Sequence, residues 1–186
     1  MKFIIGSILG AVVLFFWGTL SWMVLPLHNK ALKPLPQERL IRDTIKTVVK
    51  EPGVYFFPSG IDSDGNKLDQ SVLQESMRQG PNGFMALNIN DGGMNGKTFL
   101  ISFLTGLITA ALCLWVLFRM KDSVKTYFTR VAAVVTIGFI GWVSFEIPYW
   151  NWFFFSTAHT FAAFIDAIVG FGLLGLVIAK FVPEEN

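Results

Sequence analysis

Residues 131–179 run 49 positions without a Lys or Arg, and only Glu146, His159 and Asp166 among them carry side chains that change charge near neutral pH. A stretch this apolar belongs in lipid as spanning helix, and an ionisable group held there asks for a structural or functional reason. The composition agrees: 53% hydrophobic and 15% aromatic residues with a mean hydropathy of +0.53 argue against a soluble domain.

Four apolar runs follow along the chain, at residues 3–25, 98–118, 131–147 and 157–181. The first opens after Met1-Lys2 in the manner of a secretory signal, but its apolar stretch of about 23 residues exceeds the usual 7–15 of a signal core. The bulky Ser21-Trp22-Met23-Val24-Leu25-Pro26 that closes it offers no small-x-small cleavage site, so it reads as a retained span. The third ends at Ile147, where Pro148 and the cluster Tyr149-Trp150-Asn151-Trp152-Phe153-Phe154-Phe155 mark an interfacial turn. Pro183-Glu184-Glu185-Asn186 closes the fourth.

Short loops set the orientation. The loop at 119–130 carries Arg119, Lys121, Lys125 and Arg130 against one Asp122, whereas the loop between the third and fourth spans has no Lys or Arg. The basic loop is therefore expected in the cytoplasm, both termini with it, and residues 26–97 outside. Small residues recur at four-residue spacing as Gly6-x3-Gly10, Ser102-x3-Gly106-x3-Ala110 and Ala162-x3-Asp166-x3-Gly170, which lets helices approach closely, within one chain or between copies. The expected fold is an all-α membrane protein: a four transmembrane helix bundle with a small α/β extracytoplasmic module inserted between spans one and two.

Within that module the apolar residues Leu40, Ile41, Ile45, Val48 and Val49 recur at helical spacing across residues 37–50. Gly53-Val54-Tyr55-Phe56-Phe57 and Gly83-Phe84-Met85-Ala86-Leu87-Asn88-Ile89 read as strands, with a helix over 69–79 between them stopped by Gly80-Pro81. Strand, crossover helix and strand could pair in parallel, but two strands are too few to stand alone, so the module is expected to rest on the spans or on a partner. Asp62-Ser63-Asp64-Gly65-Asn66 suggests calcium only superficially: Gly65 directly follows the second Asp and the twelfth position is Leu73, so a solvated turn is the better reading. Asn90-Asp91-Gly92-Gly93-Met94-Asn95-Gly96 leads into a span, as a hinge would.

Several function classes drop out. A formal charge of +2 with no basic stripe excludes nucleic acid as a partner. Cys113 is the single cysteine, inside an apolar run, so neither an intrachain disulfide nor a cysteine-based metal site can form. There is no zincin motif, no nucleophile elbow and no phosphate-binding loop, so no catalytic or metal-binding residue is assigned and no cofactor is expected.

Asp166 lies roughly 14 Å along the fourth span at about 1.5 Å per residue, the deepest ionisable group, and His159 shares its helix face about 10 Å away. Glu146, roughly 24 Å along the third span, falls at the outer rim near His159. The three could line one descending path for a proton, a cation or a polar headgroup. No Lys or Arg in the spans is available to pair with Asp166, and burial disfavours its charged form. The competing reading makes Asp166 a neutral acid bonding across the helices, with Glu146 and His159 wet at the interface. His28, just beyond the first span in what reads as solvated loop, could join His159 as an axial haem ligand.

Leu14-Phe15-Phe16-Trp17-Gly18 with Ser21-Trp22-Met23, then Gly53-Val54-Tyr55-Phe56-Phe57-Pro58, Tyr149-Trp150-Asn151-Trp152, and Ile165-Asp166 before Gly170 and Gly175-Leu176-Val177-Ile178-Ala179 together resemble a set of bacterial four-span inner-membrane proteins. The resemblance covers most of the chain and implies the same topology and a bacterial inner membrane; no activity comes with it. The first expectation for function is a non-catalytic accessory, assembly or interaction protein working through its extracytoplasmic module, with the lipid bilayer and a membrane-protein partner or a second copy of itself as partners. The second is a small-solute, ion or proton transporter using Asp166, Glu146 and His159; the third, a membrane haem protein or intramembrane enzyme.

Overall fold

Three of the long helices start where a side chain caps them. Asn95 accepts the backbone N–H of Thr98, Thr126 that of Thr129, and Ser156 that of His159, so each helix N-terminus has one of its unpaired donors satisfied. The computed structural model of the chain describes residues 1–62, 64–90 and 92–183. Ser63, Asp91 and Glu184-Glu185-Asn186, on which parts of the turn, hinge and span-end readings rest, lie outside the described residues. The order is α1 (Lys2–Thr19), α2 (Glu38–Val48), β1 (Gly53–Phe57), α3 (Gln70–Gln79), β2 (Gly83–Leu87), α4 (Gly96–Arg119), α5 (Tyr127–Trp152) and α6 (Thr157–Ile178). Among the described residues four helices are long and apolar enough to cross a membrane: Lys2–Val24, Gly96–Arg119, Tyr127–Trp152 and Thr157–Phe181.

The chain divides into two units, one of Met1–Lys33 with Met94–Asn186 and the other Pro34–Gly93. In the first, α1 packs on α4 and α6, and α5 on α6. The buried core gathers at one end, from Leu114 and Leu117 of α4, Val134 of α5, and Leu174 and Ile178 of α6. The small residues make the close approaches, and make them within this chain: a Cβ on Gly10 would stand 2.7 Å from Leu174 and 2.8 Å from Ala110, and one on Gly170 3.0 Å from Trp17. Phe16, Ile108, Ile140 and Phe161 face outward, exposed.

Two boundaries differ from the sequence reading. Helix α5 does not stop before Pro148 but runs on to Trp152. Proline forfeits one N–H bond, yet beyond it Tyr149 packs on Phe153 and Phe155, and Trp150 Nε1 donates to Thr157 Oγ1 at 3.2 Å. The turn is thereby displaced to residues 153–156, with Phe154 at φ 63°. At the other end α5 takes in Arg130, which is 5% exposed rather than part of a basic loop. Its guanidinium donates to the carbonyls of Val124, Ala179, Val182 and Pro183, tying the segment before α5 to the chain just past the end of α6.

In the second unit β1 and β2 pair antiparallel, Gly53 opposite Leu87 and Phe57 opposite Gly83, not parallel as a simple crossover predicts. The extra reversal comes from the acidic turn: Asp62 Oδ1 accepts from the backbone N–H groups of Asp64 and Asn66 at 2.9 and 2.8 Å, and Ile61 bridges Lys67 antiparallel. Gly80 ends α3 at φ 60°, a conformation closed to most side chains.

Candidate functional site

The site is built first by a proline. Pro26 keeps the residue before it out of the α region, and Leu25 is extended at φ −81°, ψ 145°. The last turn of the first span widens into a π-helix over Leu20–Val24, where Leu25 N–H reaches back to Leu20 O at 2.9 Å. Such wide turns re-aim side chains and gather at functional sites. Ser21 is fully buried there, and the 3-10 turn Pro26–His28 brings His28 in at 5% exposed. The Trp22 ring lies on the imidazole, 3.9 Å between centroids and 14° between planes, which fixes its orientation.

Both side chains meet Asp166 in the middle of α6. Ser21 Oγ donates to Asp166 Oδ1 at 2.5 Å, and His28 Nε2 stands 3.0 Å from Oδ2 and 3.3 Å from Ser21 Oγ. His28 was expected as a solvated loop residue and Asp166 as an acid with no basic partner; the fold instead buries the histidine against the acid. A contact of 3.0 Å between carboxylate and imidazole requires one proton between them. The pair therefore shares a proton, while His28 Nδ1 is buried with no hydrogen-bond partner.

This is not a nucleophile relay. In a Ser-His-Asp triad the imidazole turns one nitrogen to the acid and the other to the hydroxyl. Here a single nitrogen faces both, and the serine proton goes to the carboxylate. Nor do His28 and His159 fit as two axial haem ligands, because Nε2 of His28 is committed to Asp166 and Ser21 and its Nδ1 is enclosed.

A second acid and histidine complete the site. His159 Nδ1 and Glu146 Oε2 lie 3.6 Å apart, and both atoms are buried without a hydrogen-bond partner; Phe155 packs its ring edgewise on His159 at 4.7 Å. Glu146, His159, Asp166 and His28 line one cleft of about 380 Å³, walled by Trp22, Trp142, Phe145 and Phe171. Trp142 is held by its Nε1 donating to Thr160 O at 2.9 Å and by stacking on Phe139. Of the sequence candidates, then, Asp166, Glu146 and His159 share this cleft and His28 joins them. Ser21 and Trp22 were missed as site residues; the available signal was a polar and an aromatic residue just ahead of Pro26 at the end of an apolar run. Among the described residues no group of three or more His, Cys, Asp or Glu could hold a metal ion. No family model, curated protein or solved structure matches the chain.

Proposed function

We propose that the chain is a multi-pass protein of the bacterial inner membrane that carries protons through its acid-histidine cleft. In this reading the four apolar helices form a transmembrane bundle, both termini are cytoplasmic, and Pro34–Gly93 lies outside. One observation carries it: two carboxylate-histidine pairs line a single cleft that no Lys or Arg enters, one of them joined through a shared proton. In a low-dielectric setting a carboxylate is held either by a proton or by a cation, so exchange between the two states is the chemistry such a cleft supports.

The test is purified protein in liposomes loaded with a pH-sensitive dye. After an acid step outside, the wild type is expected to equilibrate faster than empty vesicles, and Asp166→Asn at least tenfold more slowly than the wild type. Equal rates for protein-containing and empty vesicles, or for wild type and Asp166→Asn, would sink the reading.

A second reading, an accessory protein acting through its extracytoplasmic module, has its own support. No described residue of Pro34–Gly93 is buried, and Leu40, Val48 and Val54 are 62%, 70% and 71% exposed. A stoichiometric partner purified with the full chain and lost on deleting residues 37–90 is its expected signature.

A further inference from the structure

We infer that the ligand of the cleft is an organic ammonium ion, an amine borne on an apolar or aromatic body. The inference rests on the cleft being the working site, as proposed above, and not on transport. Charge comes first. Glu146, Asp166, His28 and His159 are the titratable groups that face the cleft, and no Lys or Arg lines it, so an entering molecule meets two carboxylates and no fixed cation.

Hydrogen-bond chemistry narrows the class further. Glu146 and Asp166 keep 27% and 22% of their side-chain surface exposed where they line the cleft. A carboxylate oxygen can only accept. An ammonium group has N–H donors and no acceptor, which is the complementary set.

The walls select an organic cation over a bare metal ion. Trp22, Trp142, Phe145 and Phe171 present aromatic surface, which attracts a weakly hydrated cation. A hard cation wants six or more oxygens, which this cleft does not offer. The volume, about 380 Å³, lies at the small end of ligand pockets.

The amine could be free or carried on a lipid. Trp22 and Phe171 also line a largely apolar groove of about 530 Å³ between α1 and α4, on the neighbouring side of those two side chains. An amine on a lipid headgroup would find room for its chain there.

The experiment is equilibrium dialysis of the full chain in dodecyl maltoside against phenethylammonium, phenethyl alcohol and phenylacetate, which share one body and differ in charge. Saturable binding of the ammonium at least tenfold tighter than the alcohol, with none of the acid, is expected. Glu146→Gln should weaken it at least tenfold; this side chain is partly exposed at the cleft, so unchanged circular dichroism and elution serve as the folding control alongside Asp166→Asn. Repeating the titration in nanodiscs separates the sources. A tenfold loss of affinity in phosphatidylethanolamine relative to phosphatidylglycerol assigns the site to a lipid amine, and equal affinity assigns it to a free one. Alcohol binding as tightly as ammonium, or no saturation by any of the three, overturns the inference. Amine binding without proton movement in the vesicle assay would keep the ligand and remove the carrier; proton movement without amine binding would do the reverse.

Discussion

Asp166 takes both of its hydrogen-bond partners from the far end of the chain, 145 and 138 positions away at Ser21 and His28. Removing one should be felt by the whole unit. Ser21→Ala is expected to cost about 0.5–1.5 kcal/mol, the net worth of one hydrogen bond to a partly buried acceptor, read as a lower melting temperature in detergent. The acid itself was legible in the sequence because lipid makes a lone carboxylate conspicuous. Its partners were not, since a serine ending an apolar run and a histidine after a proline are ordinary residues until the π turn is known to swing them inward. Glu146 and His159 were legible together because each could be placed by counting helical rise from its span's end, and a count of that kind tolerates small errors.

Among the elements, glycine spacing is the feature that discriminates. Gly10→Val is expected to destabilise by about 1–3 kcal/mol through overpacking, since its Cβ would meet Leu174 and Ala110. Gly18→Ala, with nothing within 4 Å, should be neutral or stabilise by up to about 1 kcal/mol through helix propensity. Paired thermal melts check both. In the Pro34–Gly93 unit the Asn66 backbone N–H, with further backbone and side-chain donors from residues 64–66, holds the Asp62 carboxyl below its ordinary value. A depressed acid adds stability above its unfolded value, about 3.9, and loses it as pH falls through the folded value. Protection of the Asp64 and Asn66 amides against hydrogen exchange should therefore persist to pH 4 and fall below it. The helices of this unit were legible from apolar period and flanking Gly and Pro; strand direction was not, because it depends on a reversal made by side-chain-to-backbone bonds that periodicity does not see. Pro148 misled for a related reason: its local cost is plain in sequence, while the aromatic packing that carries α5 past it is tertiary.

For the molecule as a whole, hydropathy alone marked four spanning-length helices, and the charge of the short loops suggested which way they face. Impermeant maleimide tests that orientation in a Cys113→Ala background: Asp64→Cys should label in intact spheroplasts, and Lys121→Cys only after the membrane is opened. The reverse pattern would invert the topology. Packing within the helical unit was less legible, because the small-residue stripes suit contacts between copies equally well. Arg130 shows what loop counting conceals, a cation buried in the end of a helix and spread over four carbonyls. Synthesis order gives the two buried groups different histories. Asp166 leaves the ribosome long after Ser21 and His28, so its partners are already waiting. Arg130 must hold on to Val124 alone until chain 49 to 53 residues further on supplies the carbonyls of Ala179, Val182 and Pro183. At ~5–20 residues per second that delay is about 2–11 s. The start of α5 thus stays unfinished until the end of α6 and the residues after it are made, and is a stretch a quality-control protease would find open on a stalled chain.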